Sequence, residues 1–276
     1  MSYHGFGDKM HYSFLNAKVN SSDIEKMGRD FQEELKYDEK LSPIVLFGCS
    51  FALGIYLEDE QTFAYKLSQL SHRNVINRAV GGGSLSHMLY QTQSDYLYKK
   101  VPYSNDVIYI LIDESTIRLL LDFYLITLKD FNLHYKKVNN DLVLVEYKNP
   151  FLNLFKSLYL VKVYQQYKIY KYVNDEKNSE EISDLELLYF IKARENLENR
   201  WNTKVNFNVI IYNNGCIKAL KPLKEKLAAN GFNVIDTNDL TDEILTEGKY
   251  IIPNDGHPTE DAWDLLTPLI YKKLKL

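Results

Sequence analysis

Apolar residues along this chain fall into two patterns. Five short unbroken runs rich in valine and isoleucine stand at 43–48 (PIVLFG), 74–80 (NVINRAV), 106–112 (DVIYILI), 207–213 (FNVIIYN) and 232–237 (FNVIDT). A strand buried on both faces has no polar side with which to alternate, so these runs predict a parallel sheet covered by helices. Between most of them, segments such as DEQTFAYKLSQLS and IKALKPLKEKLAANG carry apolar residues at helical spacing, and Gly231 closes the second as a helix C-terminal residue. The alternation predicts an α/β fold: a five-stranded parallel sheet, doubly wound in the flavodoxin-like manner, with helices on both faces.

One interval breaks the rhythm. From about 119 to 206 the chain is long, aromatic and basic, as in NPFLNLFKSLYLVKVYQQYKIYKYV, followed by the charged NDEKNSEEISD and the helix-like LELLYFIKARENLENRW. A connection of this length inside a compact α/β domain predicts an insertion with structure of its own, a common place for a cap over a site. Tyr164, Tyr167 and Tyr170 are spaced by three, so a helix lines them on one face. That face is expected to pack on the domain, with a lid or an acyl-chain groove as the alternative. NDEKNSEEISD reads as a solvated turn. The organisation expected is an N-terminal extension over 1–40 and one domain over 41–276, with the insertion inside it.

Composition changes this picture little. At 276 residues, with 45% hydrophobic and 25% charged side chains, the chain has material for one sizeable core. A net charge of -4 and a pI near 5.9 offer no general attraction to nucleic acid or anionic membrane. Cys49 and Cys216 lie in apolar segments that read as neighbouring strand ends, and two thiols make no disulfide framework. No stretch reaches the ~18 apolar residues of a membrane span, and the first residues lack a secretory pattern. A cytoplasmic protein is the expectation. No cluster has zinc-ligand spacing.

The chemistry gathers where strands end. The first run stops at Gly48-Cys49-Ser50. In a doubly wound sheet, ligands bind at the carboxyl ends of the strands, where the strand order reverses. A serine there is either a helix N-cap or a nucleophile whose own N–H stabilises an oxyanion. A nucleophile needs a base, and of the six histidines only His257 has a sharp setting, in YIIPNDGHPTEDAWDLL before the final helix. Asp255, two residues earlier, either orients that imidazole or caps the helix. After the second run, NRAVGGGSLSHML supplies glycines that let backbone N–H groups approach a substrate. It lacks the lysine of a phosphate loop and the spacing of a dinucleotide fingerprint.

This combination resembles the SGNH (GDSL-like) hydrolases. The likeness runs from about Pro43 to the C-terminus, outside the insertion, and rests on FGCSFALGIYLEDEQTFAYKLSQL, the glycine loop and NDGHPTEDAW. It implies Ser50 as nucleophile, Gly82 as oxyanion donor, and His257 as base oriented by Asp255. Two departures stand out. The family's Gly-x-Asn-Asp element is replaced by ILIDESTIRLL, where Ser115 falls closest to the oxyanion asparagine and is the substitute donor. Asn254 stands three before His257, where Asp-x-x-His would place the aspartate; Asp255 is chosen because only a carboxylate offsets imidazolium charge. Arg118 either pairs with Asp122 at i+4 or binds a carboxylate substrate.

The resemblance implies a serine esterase that cleaves a small acyl ester, with acetate on a carbohydrate as first expectation. Such chemistry needs neither a metal nor an organic cofactor. Two rivals remain: an O-acyltransferase of the same fold, and a non-catalytic binding or scaffold protein that keeps the fold. A lipid esterase is a further variant, should FLNLFKSLYLVKVY form an exposed apolar patch. The partner expected is a small-molecule or carbohydrate ester, not nucleic acid. The first 40 residues carry no signal that says whether they pack on the domain; Tyr3, His4 and Tyr12 are the candidate anchors there.

Overall fold

The structure is a computed structural model and describes residues 28–29, 41–123, 133, 135–145, 164, 167–169, 171–212 and 220–276. Its centre is a sheet of five parallel strands: β1 (Ile44–Gly48), β2 (Val75–Asn77), β3 (Asp106–Leu111), β6 (Asn206–Ile211) and β7 (Asn233–Asp236). They lie in the order β2-β1-β3-β6-β7. All five coincide with the apolar runs, and the order is the doubly wound, flavodoxin-like one.

Side chains alternate across the pleat and split the core in two. Val45, Phe47, Val107, Tyr109, Leu111 and Val209 face α3 (Leu85–Gln93), α6 (Ser179–Trp201) and α7 (Leu220–Ala229). Ile44, Leu46, Ile108, Ile110 and Ile210 face α1 (Ser50–Leu53), α2 (Phe63–Ser71) and α8 (Glu260–Tyr271). The chain runs from β1 outward to β2, then crosses back to β3 on the other side of β1. The reversal opens a crevice above Gly48 and Leu111, the carboxyl ends of β1 and β3. Helices α4 (Asp95–Lys100) and α5 (Asp113–Phe123) flank β3 in the chain.

The long interval resolves differently from its sequence pattern. Helix α6 is the crossover between β3 and β6, with Tyr189, Phe190, Ala193 and Leu197 fully buried in the main core. It starts at Ser179, so the second half of NDEKNSEEISD is helix, capped by a 3-10 turn over Glu176–Asn178. Its charges line the outer face: Lys226 of α7 pairs with Glu180 and Asp184. A hairpin that the periodicity does not announce, β4 (Tyr135–Val138) with β5 (Asp141–Leu144), turns at Asn139 in the left-handed region and inserts Tyr135 and Leu142 into the core. An asparagine pair between short strands was the available signal.

The tyrosine face goes outward. Tyr164 and Tyr167 are 57% and 60% exposed, while Ile169 and Val173 are buried. The expected packing of that face on the domain is therefore not met at these two positions; Tyr170 lies outside the described residues. Spacing defines a face but not its direction, and the i, i+4 aliphatic pair loses more free energy in water than a tyrosine with its hydroxyl.

Part of the N-terminal extension does pack on the domain. Arg29 forms an antiparallel bridge with Asn77 at the end of β2 and is 7% exposed. Tyr3, His4 and Tyr12 fall outside the described residues, as do Cys216 and the FLNLFKSLYLVKVY segment up to its final Tyr164. Among the described residues, no helix is long and apolar enough to cross a membrane.

Candidate active site

Strand β1 has to end in glycine. Gly48 has φ +152°, and a Cβ there would stand 2.6 Å from the Ala52 Cβ and 3.0 Å from the Ile110 carbonyl. Its absence lets α1 fold back tightly over the strand end. Cys49 is the N-cap of α1 and Ser50 its first residue, so Ser50 is not the cap. As a first-turn residue it has an N–H with no intrahelical acceptor. Gly54, in the left-handed conformation, ends the helix and donates to the Ser50 and Phe51 carbonyls.

His257 arrives from the far end of the sequence on a tightly closed loop. Ile251 and Pro258 form an antiparallel bridge, the Ile252 N–H donates to the His257 carbonyl at 2.8 Å, and the Asp255 and Gly256 N–H groups both donate to the Ile252 carbonyl. The loop needs positive φ at Asn254 (+64°) and Gly256 (+86°). Asparagine tolerates this region better than most residues, which accounts for Asn254 beside the aspartate. Helix α8 is preceded by Thr259 as N-cap, so Asp255 does not cap it.

The two segments bring three side chains into one chain of contacts. The Ser50 hydroxyl lies 2.7 Å from Nε2 of His257, and Nδ1 of His257 is hydrogen-bonded to Oδ1 of Asp255. The carboxylate accepts from Nδ1–H, which leaves the Nε2 lone pair for the serine proton. The imidazole is flanked by the Phe51 ring, 5.0 Å away between centroids, and by the Tyr56 ring in a T-shaped contact, at 5.5 Å and 79°. Tyr56 has φ +69°, an outlier for a bulky residue that costs about 1–3 kcal/mol. Neither ring carries a motif; both were missed in the sequence, and Tyr56 is marked there only by its place two residues after Gly54.

The glycine loop sits beside α1. The Val80 N–H donates to the Gly48 carbonyl, and a Cβ on Gly81 would touch Leu53 and Ile55. Gly83 N–H donates to the Val80 carbonyl at 2.8 Å with Gly82 at φ +72°, the signature of a type II turn. The turn's hydrogen bond is made by Gly83, so the Gly82 N–H is not consumed by it. Arg118 does not reach for the substrate side of this loop. Its Nη1 donates to the Gly82 carbonyl at 3.0 Å, while Nε and Nη2 hold Glu114 at i−4; the Asp122 side chain lies outside what is described.

Ser115 lies apart from these groups in exposure. It is fully buried in the first turn of α5. Its hydroxyl lies beside the Cys49 thiol, next to Ser50, and the Tyr109 hydroxyl. Burial pushes the Cys49 thiol up from its ordinary value, so the residue beside Ser50 stays neutral and unreactive. Glu186 of α6, also fully buried, accepts from the Thr116 hydroxyl at 2.5 Å, and burial raises its carboxyl to about 8. The other described histidines are structural: His72 ends α2 in the left-handed conformation, and His87 caps α3 by accepting from the Ser84 N–H. Among the described residues, no group of three histidine, cysteine or acidic side chains is placed to hold a metal ion.

This is a doubly wound α/β protein with a hydroxyl, imidazole and carboxylate aligned at its switch point. Neither a protein-family model nor a curated protein matches the chain. Its fold is similar to that of a protein from Desulfitobacterium hafniense DCB-2 assigned to the G-D-S-L lipolytic family. That likeness has a TM-score of 0.51 and 10% identity, over 85% of this chain and 100% of the other. TesA (TM-score 0.48, 9% identity, 84% of this chain and 98% of that one) and LAE5, an alpha/beta hydrolase from the metagenome of Lake Arreo, Spain (0.44, 10%, 84% and 94%), are also similar. At such identities the likeness establishes the SGNH, or G-D-S-L, type of fold.

Proposed function

We propose that this protein is an ester hydrolase working through a covalent acyl-enzyme. Ser50 attacks the ester carbonyl as His257 takes its proton at Nε2, and Asp255 holds the imidazole in the productive tautomer and offsets the charge that forms. The tetrahedral oxyanion is met by the backbone N–H groups of Ser50 and Gly82. His257 then returns the proton to the leaving alcohol, and water, activated by the same imidazole, releases the acid. The observation that carries this reading is the 2.7 Å approach of Ser50 Oγ to His257 Nε2, with Asp255 on the opposite ring nitrogen.

For the substrate we propose a small acyl group, acetate first, on a carbohydrate alcohol. The half-exposed Tyr56 ring beside the imidazole suits stacking on the apolar face of a sugar. The test is hydrolysis of p-nitrophenyl acetate together with fluorophosphonate labelling, for intact protein and for Ser50→Ala. Turnover and labelling that both vanish in the variant support the reading. A folded protein that neither turns over nor labels sinks it and leaves the non-catalytic binding role. Labelling without turnover, relieved by an added sugar alcohol, favours acyl transfer.

A further inference from the structure

Two residues of the extension that precedes the domain, Gly28 and Arg29, dock beside the candidate site. Gly28 has φ +144°, and a Cβ there would lie 2.3 Å from the Asn77 carbonyl, so only glycine lets this segment dock on β2. Arg29 follows, its N–H donating to that carbonyl at 2.8 Å. Its buried guanidinium then spreads over the loop that leaves α1. Nη1 donates to the Gly54 carbonyl at 3.0 Å, Nη2 to the Leu57 carbonyl at 2.9 Å, and Nε to Asp59 at 2.7 Å.

Gly54 and Leu57 are the two ends of a turn, closed by the Leu57 N–H donating to the Gly54 carbonyl at 3.2 Å. Tyr56 is the third residue of that turn, where positive φ is required and glycine or asparagine is the usual occupant. A tyrosine persists in such a conformation only when its surroundings over-determine it. One planar fork fastened to both end carbonyls and to a carboxylate does so, in a geometry that a single ammonium does not reproduce. The turn in turn brings the Tyr56 ring into a T-shaped contact with His257, whose own loop is pinned at its base but carries two left-handed residues at its tip.

We propose that Arg29 is a positioning residue of the reaction: it clamps the Gly54–Leu57 turn so that Tyr56 holds the His257 imidazole on Ser50. The proposal rests on the esterase reading above. Gly28 and Arg29 of the extension are on this account part of the active site.

The test uses the full chain with Arg29→Gln, Arg29→Lys, Tyr56→Ala, Tyr56→Phe and the Arg29→Gln/Tyr56→Ala double variant. Two readouts are taken: kcat and KM on p-nitrophenyl acetate, and amide hydrogen exchange over residues 53–59. Arg29→Gln and Tyr56→Ala are each expected to lower kcat by about 10- to 100-fold with KM changed less than about twofold. Arg29→Lys should not restore kcat, Tyr56→Phe should keep most of it, and the double variant should be no slower than the singles. Exchange over 53–59 should quicken in Arg29→Gln. Folded Arg29→Gln with wild-type kcat, or losses that multiply in the double variant, would overturn the proposal. If Arg29→Gln fails to fold, the exposed Tyr56→Ala decides, since unchanged kcat there removes the side chain through which Arg29 acts. Wild-type protein without turnover or labelling discards the esterase reading and this role together, whereas active wild type with indifferent variants discards this role alone.

Discussion

Ser50 Oγ lies 2.7 Å from His257 Nε2 although the two residues are 207 positions apart. One comes from the end of the first strand and the other from the loop before the last helix, and both elements pack on the same face of the sheet. Removing either side of this contact is expected to lower kcat by about 10³-fold or more, and removing both to cost little beyond the first loss, because the two act as a unit. Ser50→Ala, His257→Ala and the double variant, compared in kcat on p-nitrophenyl acetate, check this.

Asp255 and Asn254 are neighbours with different work. Asp255→Asn is expected to reduce kcat by about 10²- to 10⁴-fold, since an amide neither offsets the imidazolium nor selects the tautomer. Asn254→Asp should leave kcat within a few-fold of wild type. Asn254→Ala should instead lower stability by about 1 kcal/mol because of the positive φ, with Asn254→Gly near neutral. Steady-state kinetics and thermal melts of the same variants separate the two effects.

Gly48 is a steric requirement. Gly48→Ala is expected to destabilise the protein by about 2 kcal/mol or more, because its methyl meets Ala52 and the Ile110 carbonyl. Pairing it with Ala52→Gly should recover part of the loss, leaving the contact with the β3 backbone. Urea denaturation of the three variants reads this directly.

Gly82 is crowded by a movable neighbour. A Cβ at Gly82 would lie 2.8 Å from Arg118 Nη1, at a φ of +72°. Gly82→Ala is expected to slow turnover about tenfold through a displaced N–H. The double variant Gly82→Ala/Arg118→Ala should lose the clash but not the backbone strain, so its melting temperature should exceed that of Gly82→Ala while kcat stays low.

Glu186 makes stability depend on pH. Its carboxyl is raised by burial from 4.5 to about 8 in the folded protein, so between these values the native state holds a proton that the unfolded chain has released. Stability from this residue therefore falls as pH rises from about 4.5 to about 8, by on the order of a few kcal/mol. Glu186→Gln, which keeps a hydrogen-bond partner for Thr116, should flatten this slope. Its melting temperature is expected to exceed that of wild type at pH 8 to 9 and to converge with it near pH 5. A variant that gains nothing at high pH would show that the buried carboxyl does not titrate this way.

The sheet was legible because burial on both faces leaves an unmistakable trace: β1, β2, β3 and β7 sit within their valine- and isoleucine-rich runs, and β6 starts one residue before its own. Gly48, Ser50, Asp255 and His257 were legible as residue types in telling positions. Less was readable where a pattern names a face but not its direction. The tyrosines at 164 and 167 turned outward because Ile169 and Val173 took the core, and helix α6 joined that core although its sequence looked like part of an insertion.

What the sequence by itself determined is the five strands of the central sheet, their order of appearance and the polar residues left at their ends, since hydrophobic period and turn chemistry are local properties. Only the tertiary structure decided which of these residues meet. It brought His257 to Ser50, Arg118 to the Gly82 carbonyl, and Arg29 to the turn that carries Tyr56. Each of these depends on groups distant in sequence that share one crevice. Contact across such distances is a consequence of how strands cross and helices pack, on which local spacing is silent.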